Sequence, residues 1–143
     1  MIIKNSDIQS LVNFLVNEKL SGKTSRMRTR FVNLLNERLK EIEEFRLEIV
    51  EKYAEKDDEG KPITNDNKYK IVDMEAFNKD YDELMNEEFI IDETHSKKDM
   101  LLSVKRILES TEMEFSGQEA FLYDKWCEAF ENLKYEEEAS PKE

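Results

Sequence analysis

The sequence predicts a mainly α protein with about five helices, one of them very long, and a small sheet of two or three strands. Three observations predict it. Only three glycines and two prolines interrupt 143 residues, apolar side chains recur every three or four positions over most of that length, and no breaker falls between Ser25 and Gly60. With 39% charged and 38% hydrophobic residues, the composition is that of a soluble helical chain; a disordered one carries fewer aromatics. The length matches one helical domain with a modest core, expected over residues 1–135, followed by a flexible acidic tail over 136–143.

Local pattern justifies each element in turn. Met1 to Ile3 is a short apolar run of strand type, and Asn5, Ser6 and Asp7 behind it are good helix N-caps. Ile8, Leu11, Val12 and Leu15 recur at helical spacing, so a first helix should run to about Leu20, with Gly22 as its breaker. Thr24 or Ser25 then caps a second helix, in which Phe31, Leu35, Leu39, Ile42, Ile49 and Tyr53 form a stripe interleaved with Leu34, Phe45 and Val50. From about Ser25 to about Asp57 (25–57) this helix is roughly 50 Å long at the standard rise. A compact domain of this size has a radius of gyration of about 14–15 Å. The helix must therefore protrude, bend or be covered by a partner. Its stripe is nearly heptadic through Leu35, Ile42 and Ile49, yet Arg38, Arg46 and Lys52 interrupt the second seam. Packing by its own chain is the leading reading, and a homo-oligomer built through the long helix is the alternative.

The segment TNDN at Thr64 to Asn67 reads as a turn of residues that bond their own backbone. Tyr69 to Val72 and Phe89 to Ile91 are candidate strands flanking a short helix with Met74, Phe77, Tyr81, Leu84 and Met85; with the amino-terminal run they would form the sheet. Ser96 and Asp99 resemble a capping box ahead of a helix bearing Met100, Leu101, Val104, Ile107 and Leu108. Ser116 and Glu119 repeat that signal ahead of a last helix with Leu122, Trp126, Ala129, Phe130 and Leu133. The expected core is Ile8, Leu11, Leu15, Phe31, Leu35, Ile42, Phe77, Tyr81, Leu84, Val104, Leu108, Leu122, Trp126 and Phe130.

Charge is the most informative property of the chain. A net charge of -12 argues against a protein whose whole surface grips duplex DNA. One island runs against that balance: Lys19, Lys23, Arg26, Arg28 and Arg30 fall in a stretch without an acid, at the junction of two helices, where free backbone amides favour anions. On a helix starting near Ser25, Arg26 and Arg30 share a face and Arg28 points elsewhere. These cations either pair with acids of the same chain, in Asp80 to Glu88 or the tail, or hold a phosphate, a nucleic-acid backbone or an acidic protein surface. The opposite pole is the stretch holding Asp80, Asp82, Glu83, Glu87, Glu88, Asp92 and Glu93, where Lys79 is the only cation. The candidate partner-binding residues are thus Lys23, Arg26, Arg28 and Arg30 on one side and Asp80, Asp82, Glu83, Glu87 and Glu88 on the other.

Catalytic patterns do not emerge. Gly22, Lys23 and Thr24 spell the end of a P-loop, but Asn17 stands where its first glycine belongs and a helix, not a strand, precedes it. His95 and Cys127 are the single histidine and cysteine, so neither a clustered zinc site nor a cysteine–histidine dyad can be assembled. Cys127 reads as a small buried or half-buried side chain. The acids lack the glycine and ligand spacing of a calcium loop. No enzyme, cofactor or metal is expected. The amino terminus has no signal or transit pattern and no run reaches membrane-spanning length, so no membrane association is expected. A lone cysteine fits a reducing compartment, and the expected location is the cytoplasm.

The combination of SGKTSRMRTRFVNLL, a long acidic helix running into YAEKDDEGKP, the block MEAFNKDYDELMNEEFIID and the closing EFSGQEAFLYDKWCEAF resembles an uncharacterised family of small proteins encoded by tailed phages and prophages of Gram-positive bacteria. The likeness covers roughly residues 8–130 and implies phage origin and expression in the host cytoplasm; it brings no activity and no catalytic residues. The expected function is that of an acidic interaction protein binding a host or phage macromolecule, such as a host defence or nucleic-acid-handling protein whose ligand the acids imitate. The alternatives are a virion-assembly accessory that self-associates through the long helix, and a nucleic-acid-binding module using Lys19 to Arg30.

Overall fold

The computed structural model describes residues 1–135; the acidic tail expected over 136–143 lies outside the described residues. The chain runs through β1 (Ile2–Lys4), α1 (Asn5–Asn17), α2 (Gly22–Tyr53), β2 (Thr64–Asn65), β3 (Lys68–Tyr69), α3 (Met74–Asn86), β4 (Glu88–Ile90), a 3-10 turn (His95–Lys97), α4 (Lys98–Ser110) and α5 (Gln118–Glu131). The mainly α class holds: among the described residues there are five α-helices, one of 32 residues, and two ribbons of two strands each.

The long helix is the spine of the molecule. At about 1.5 Å per residue α2 spans about 48 Å, and most of its stripe is covered by its own chain, with Met27, Phe31, Val32, Leu35, Ile42 and Val50 buried, while Phe45 and Leu47 are exposed. Helix α1 lies along its first half, where Arg28 reaches Leu15 and Arg38 reaches Asn5. Helix α3 runs antiparallel to its second half, from Glu87 beside Arg38 to Asp80 beside Tyr53. Helix α4 also packs on α2 and α5 closes the core over α1 and α4. Phe31 meets Phe130 edge-on at 5.6 Å, and Phe14 packs against Trp126 at 5.4 Å. Each large side chain removed from water here contributes roughly 1.5–3 kcal/mol. Every expected core residue is buried except Phe77, Tyr81 and Leu122, which are half-buried. Helix α3 buries only Leu84, and Phe77 and Tyr81 stack on each other at 6.1 Å on its flank.

Several boundaries differ from the local reading. The first helix ends at Asn17 rather than Leu20, because Arg28 from the next helix takes the carbonyls of Leu15 and Glu18. The second starts at Gly22 rather than behind a Thr24 or Ser25 cap; Gly22 turns into it at φ +59°, and the Ser25 hydroxyl accepts from Arg28 instead. It stops at Tyr53, four residues before Asp57, because Ala54 leaves the helix to bridge Ile71 and Lys56 bridges Pro62. The TNDN segment is a tight hairpin, with Asp66 and Asn67 both at positive φ between β2 and β3, the geometry that right-twisted strands favour.

In place of one small sheet of two or three strands there are two separate ribbons of two strands each. β1 pairs antiparallel with β4 in the register Ile2↔Ile90, Ile3↔Phe89, Lys4↔Glu88, whereas Tyr69 joins the local β2–β3 hairpin and Ile71 bridges Ala54. In the first ribbon Ile3 points into the core while Ile2 and Ile90 are exposed. Neither expected capping box forms: Ser96 shares a bond with Thr94, Asp99 turns to Lys23, and α5 begins behind Gly117 at φ +58° with no side-chain cap.

Candidate interaction surfaces

The basic island divides into cations with internal duties and cations without. Arg28 is structural: one guanidinium nitrogen donates to the carbonyl oxygens of Leu15 at 2.8 Å and Glu18 at 2.7 Å, and the other to Ser25 Oγ at 3.2 Å. It thereby satisfies the open carboxyl end of α1 and places a positive charge on its negative pole. Lys23 pairs with Asp99 of α4 at 3.0 Å, both side chains being largely exposed. Arg26 and Arg30 are exposed and form no ion pair among the described residues; Lys19 is likewise exposed. The reading that the island pairs with acids of the same chain, in Asp80 to Glu88 or the tail, is corrected for the first segment: among the described residues no ion pair joins it to the island, because α3 lies along the far half of α2 while the island lies at its start, and the tail over 136–143 lies outside the described residues.

A second cationic stretch, unnoticed in the sequence, faces the first. Lys97, Lys98, Lys105 and Arg106 accompany a single acid, Asp99, between Ser96 and Ile107. Lys23 beside it, with Lys98 and Arg106 near, holds the Asp99 carboxyl below the usual carboxylate range. The sequence signal was present, four cations against one acid, but an amphipathic helix with a good apolar face gave no reason to single it out.

The acidic pole is the α2–α3 hairpin. Asp80 is not free: it accepts from the Tyr53 hydroxyl at 2.6 Å and from Lys52 at 3.3 Å, and these donors hold its carboxyl below its usual range. Glu87 lies 4.0 Å from Arg38. Asp82 and Glu83 are exposed and form no ion pair among the described residues, and with Lys79, Asn86 and Glu87 they rim a shallow depression on α3. Glu88 sits on β4 opposite Lys4. Along the neighbouring turns of α2, Glu41, Glu44, Glu48 and Glu51 are exposed too.

Arg38, which interrupts the heptad seam, is the hub of a buried junction. Its Nε donates to Asn5 Oδ1 at 3.0 Å, Nη1 to Glu41 at 3.1 Å, and its guanidinium lies 5.3 Å from the centre of the Phe89 ring. Asn5, only 1% exposed, passes the connection on by donating to the Leu84 carbonyl at 2.8 Å. Arg38 and Asn5 together thus tie α1, α2, α3 and β4, and the local sign of this in the sequence is the charged residue that interrupts the seam.

Between β1 and α5 lies an open cleft of about 320 Å³, walled by Ile2, Leu11, Trp126 and Phe130 and rimmed by Lys125 and Asp7. The Trp126 indole N–H is buried without a partner among the described residues. Cys127 is half-buried and burial pushes its thiol up, away from the reactive thiolate form. Tyr123 beside it is pushed up to about 12 by burial. Among the described residues no group of three or more His, Cys, Asp or Glu is placed to hold a metal ion, and no helix is long and apolar enough to cross a membrane. One family of proteins matches the chain, over residues 1–137, and is described as a protein of unknown function (DUF1617). No curated protein and no solved structure matches it.

Proposed function

The chain belongs to the DUF1617 family, whose description assigns no activity, and from its charge layout we propose that it is a phage-encoded acidic interaction protein of the host cytoplasm. Its acidic α2–α3 hairpin docks on the basic surface of a host protein that handles nucleic acid, and so competes with that protein's own ligand. The observation that carries this reading is the row of exposed carboxylates at Asp82 and Glu83, flanked by Glu87 and by the outer acids of α2, where Lys79 is the one cation of α3. Opposed fields of this kind steer association and select partners more than they set affinity. Phage origin rests on the motif resemblance. The assembly alternative has less support, since most of the apolar stripe of α2 faces α1, α3 and α4 and only Phe45 and Leu47 of its large apolar side chains are exposed.

The test is affinity purification of the tagged chain from host cells, comparing wild type with Asp82→Lys/Glu83→Lys. One basic partner, released as salt rises towards about 0.5 M, where charges are screened within a few ångströms, and lost in the variant, supports the reading. A partner held equally well by the variant, or recovery of phage structural proteins alone, refutes it.

A further inference from the structure

Two cation-rich stretches far apart in sequence, 19–30 and 97–106, lie side by side in the fold. The join is the Lys23–Asp99 pair at 3.0 Å, where the start of α2 meets the start of α4. From that join Lys23, Arg26 and Arg30 follow one another at offsets of three and four residues, so they line one face of α2, and all three are exposed. Asp99 and Arg106, seven residues apart, likewise share a face of α4. Asp99 is the single acid of that stretch, and Lys23 matches its charge. Arg26, Arg30 and Arg106 are left presenting their guanidinium groups to solvent, with Lys19 exposed at one end and Lys105 half-exposed beside Arg106.

We infer that these two stretches form one phosphate-binding face for the backbone of duplex nucleic acid, assembled across the Lys23–Asp99 contact. Guanidinium groups suit phosphate oxygens because they donate two parallel hydrogen bonds at once. Duplex rather than unpaired strand follows from the absence of any aromatic ring in 19–30 or in α4: unpaired bases are held on stacking platforms, whereas phosphate contacts need none. The chain carries a net charge of -12, and these two stretches, with five cations and no acid in 19–30 and four cations against one acid in 97–106, hold cations in local excess. Contacts of this type carry no sequence preference and weaken steeply with salt. This face is distinct from the acidic hairpin and does not depend on it.

The experiment is fluorescence anisotropy of a labelled duplex of about 20 base pairs, titrated with the full chain from about 50 to 200 mM salt. Arg26→Gln/Arg30→Gln and Lys105→Gln/Arg106→Gln are each expected to weaken binding about tenfold, and each to reduce the slope of log K against log salt by about 2. Arg26→Lys/Arg30→Lys should retain the slope, and Asp82→Asn/Glu83→Gln should leave duplex binding within about twofold, which separates this proposal from the one above. Circular dichroism of every variant must match wild type for the comparison to count, and the lysine pair supplies a second, charge-preserving comparison. Absence of duplex binding at about 50 mM salt, loss on only one of the two glutamine pairs, or tighter binding of an unpaired strand or of anionic vesicles overturns the inference.

Discussion

Replacing Arg28 separates the structural cation of the basic island from the free ones. Its guanidinium makes two short hydrogen bonds to the last carbonyls of α1, at 2.8 and 2.7 Å, and a longer one to Ser25 Oγ at 3.2 Å. A hydrogen bond from a charged donor contributes about 1.5–3 kcal/mol when the group left behind is fully buried. Arg28 is half-buried, so water takes over part of each bond once the side chain is cut, leaving about 1 kcal/mol apiece. The positive charge on the negative pole of α1 adds about 0.5 kcal/mol. Arg28→Ala is therefore expected to cost about 2–3 kcal/mol, or about 8 °C in melting temperature for a chain of this length. Arg28→Lys, a point charge that reaches one carbonyl at a time, should lose about half as much. Arg26→Ala and Arg30→Ala should each stay within about 0.5 kcal/mol of wild type. Urea and thermal unfolding followed by circular dichroism measure all four. An Arg28→Ala loss below about 0.5 kcal/mol, or one no larger than that of Arg26→Ala, would refute the assignment of Arg28 to the fold.

Two further outcomes follow from buried and paired groups. Asn5→Ala removes the donor to the Leu84 carbonyl and the acceptor of Arg38 Nε at a site that is 1% exposed, so urea unfolding should show a loss of about 2–4 kcal/mol; a loss under about 1 kcal/mol would show that water reaches the junction. Glu93 accepts the Lys134 backbone N–H at 2.6 Å and lies 3.2 Å from the Met1 amino group, and these donors hold its carboxyl below the usual 4.5. A carboxyl lowered by folding stabilises the native state above its ordinary value, and the contribution is lost as pH falls through the folded value. Stability should therefore decline on acidification below about 4.5, and Glu93→Gln should flatten that part of the curve; an unchanged acid limb in the variant would count against the pairing.

Local patterns carried most of the helical architecture. Spacings such as Ile8, Leu11 and Leu15, or Trp126 and Phe130, report burial directly, because a helix returns to the same face within one turn and each apolar repeat must meet an apolar partner. The turn at Asp66 and Asn67 was legible for a similar reason, since tolerance of positive φ belongs to the residue type itself, whereas the strand at Thr64–Asn65 that makes it a hairpin was not. Capping was less legible. Ser25, Ser96 and Ser116 are plausible caps one at a time, yet the end of α1 is closed by an arginine from another helix, and α5 begins at a glycine with positive φ.

By itself the sequence determined the helical class, a single very long helix, the greater part of the core, and the concentration of opposite charge in two stretches, because each follows from composition or from repeats a few residues long. Tertiary structure alone decided which partner each group meets. It paired the amino-terminal strand with Glu88–Ile90, turned Arg28 inward to the end of α1, made Arg38 the hub around Asn5, and set 97–106 beside 22–30 through Lys23 and Asp99. The physical reason is range. Lys23 and Asp99 are 76 residues apart, and the packing that brings such groups together is a property of the whole core, which no local periodicity encodes.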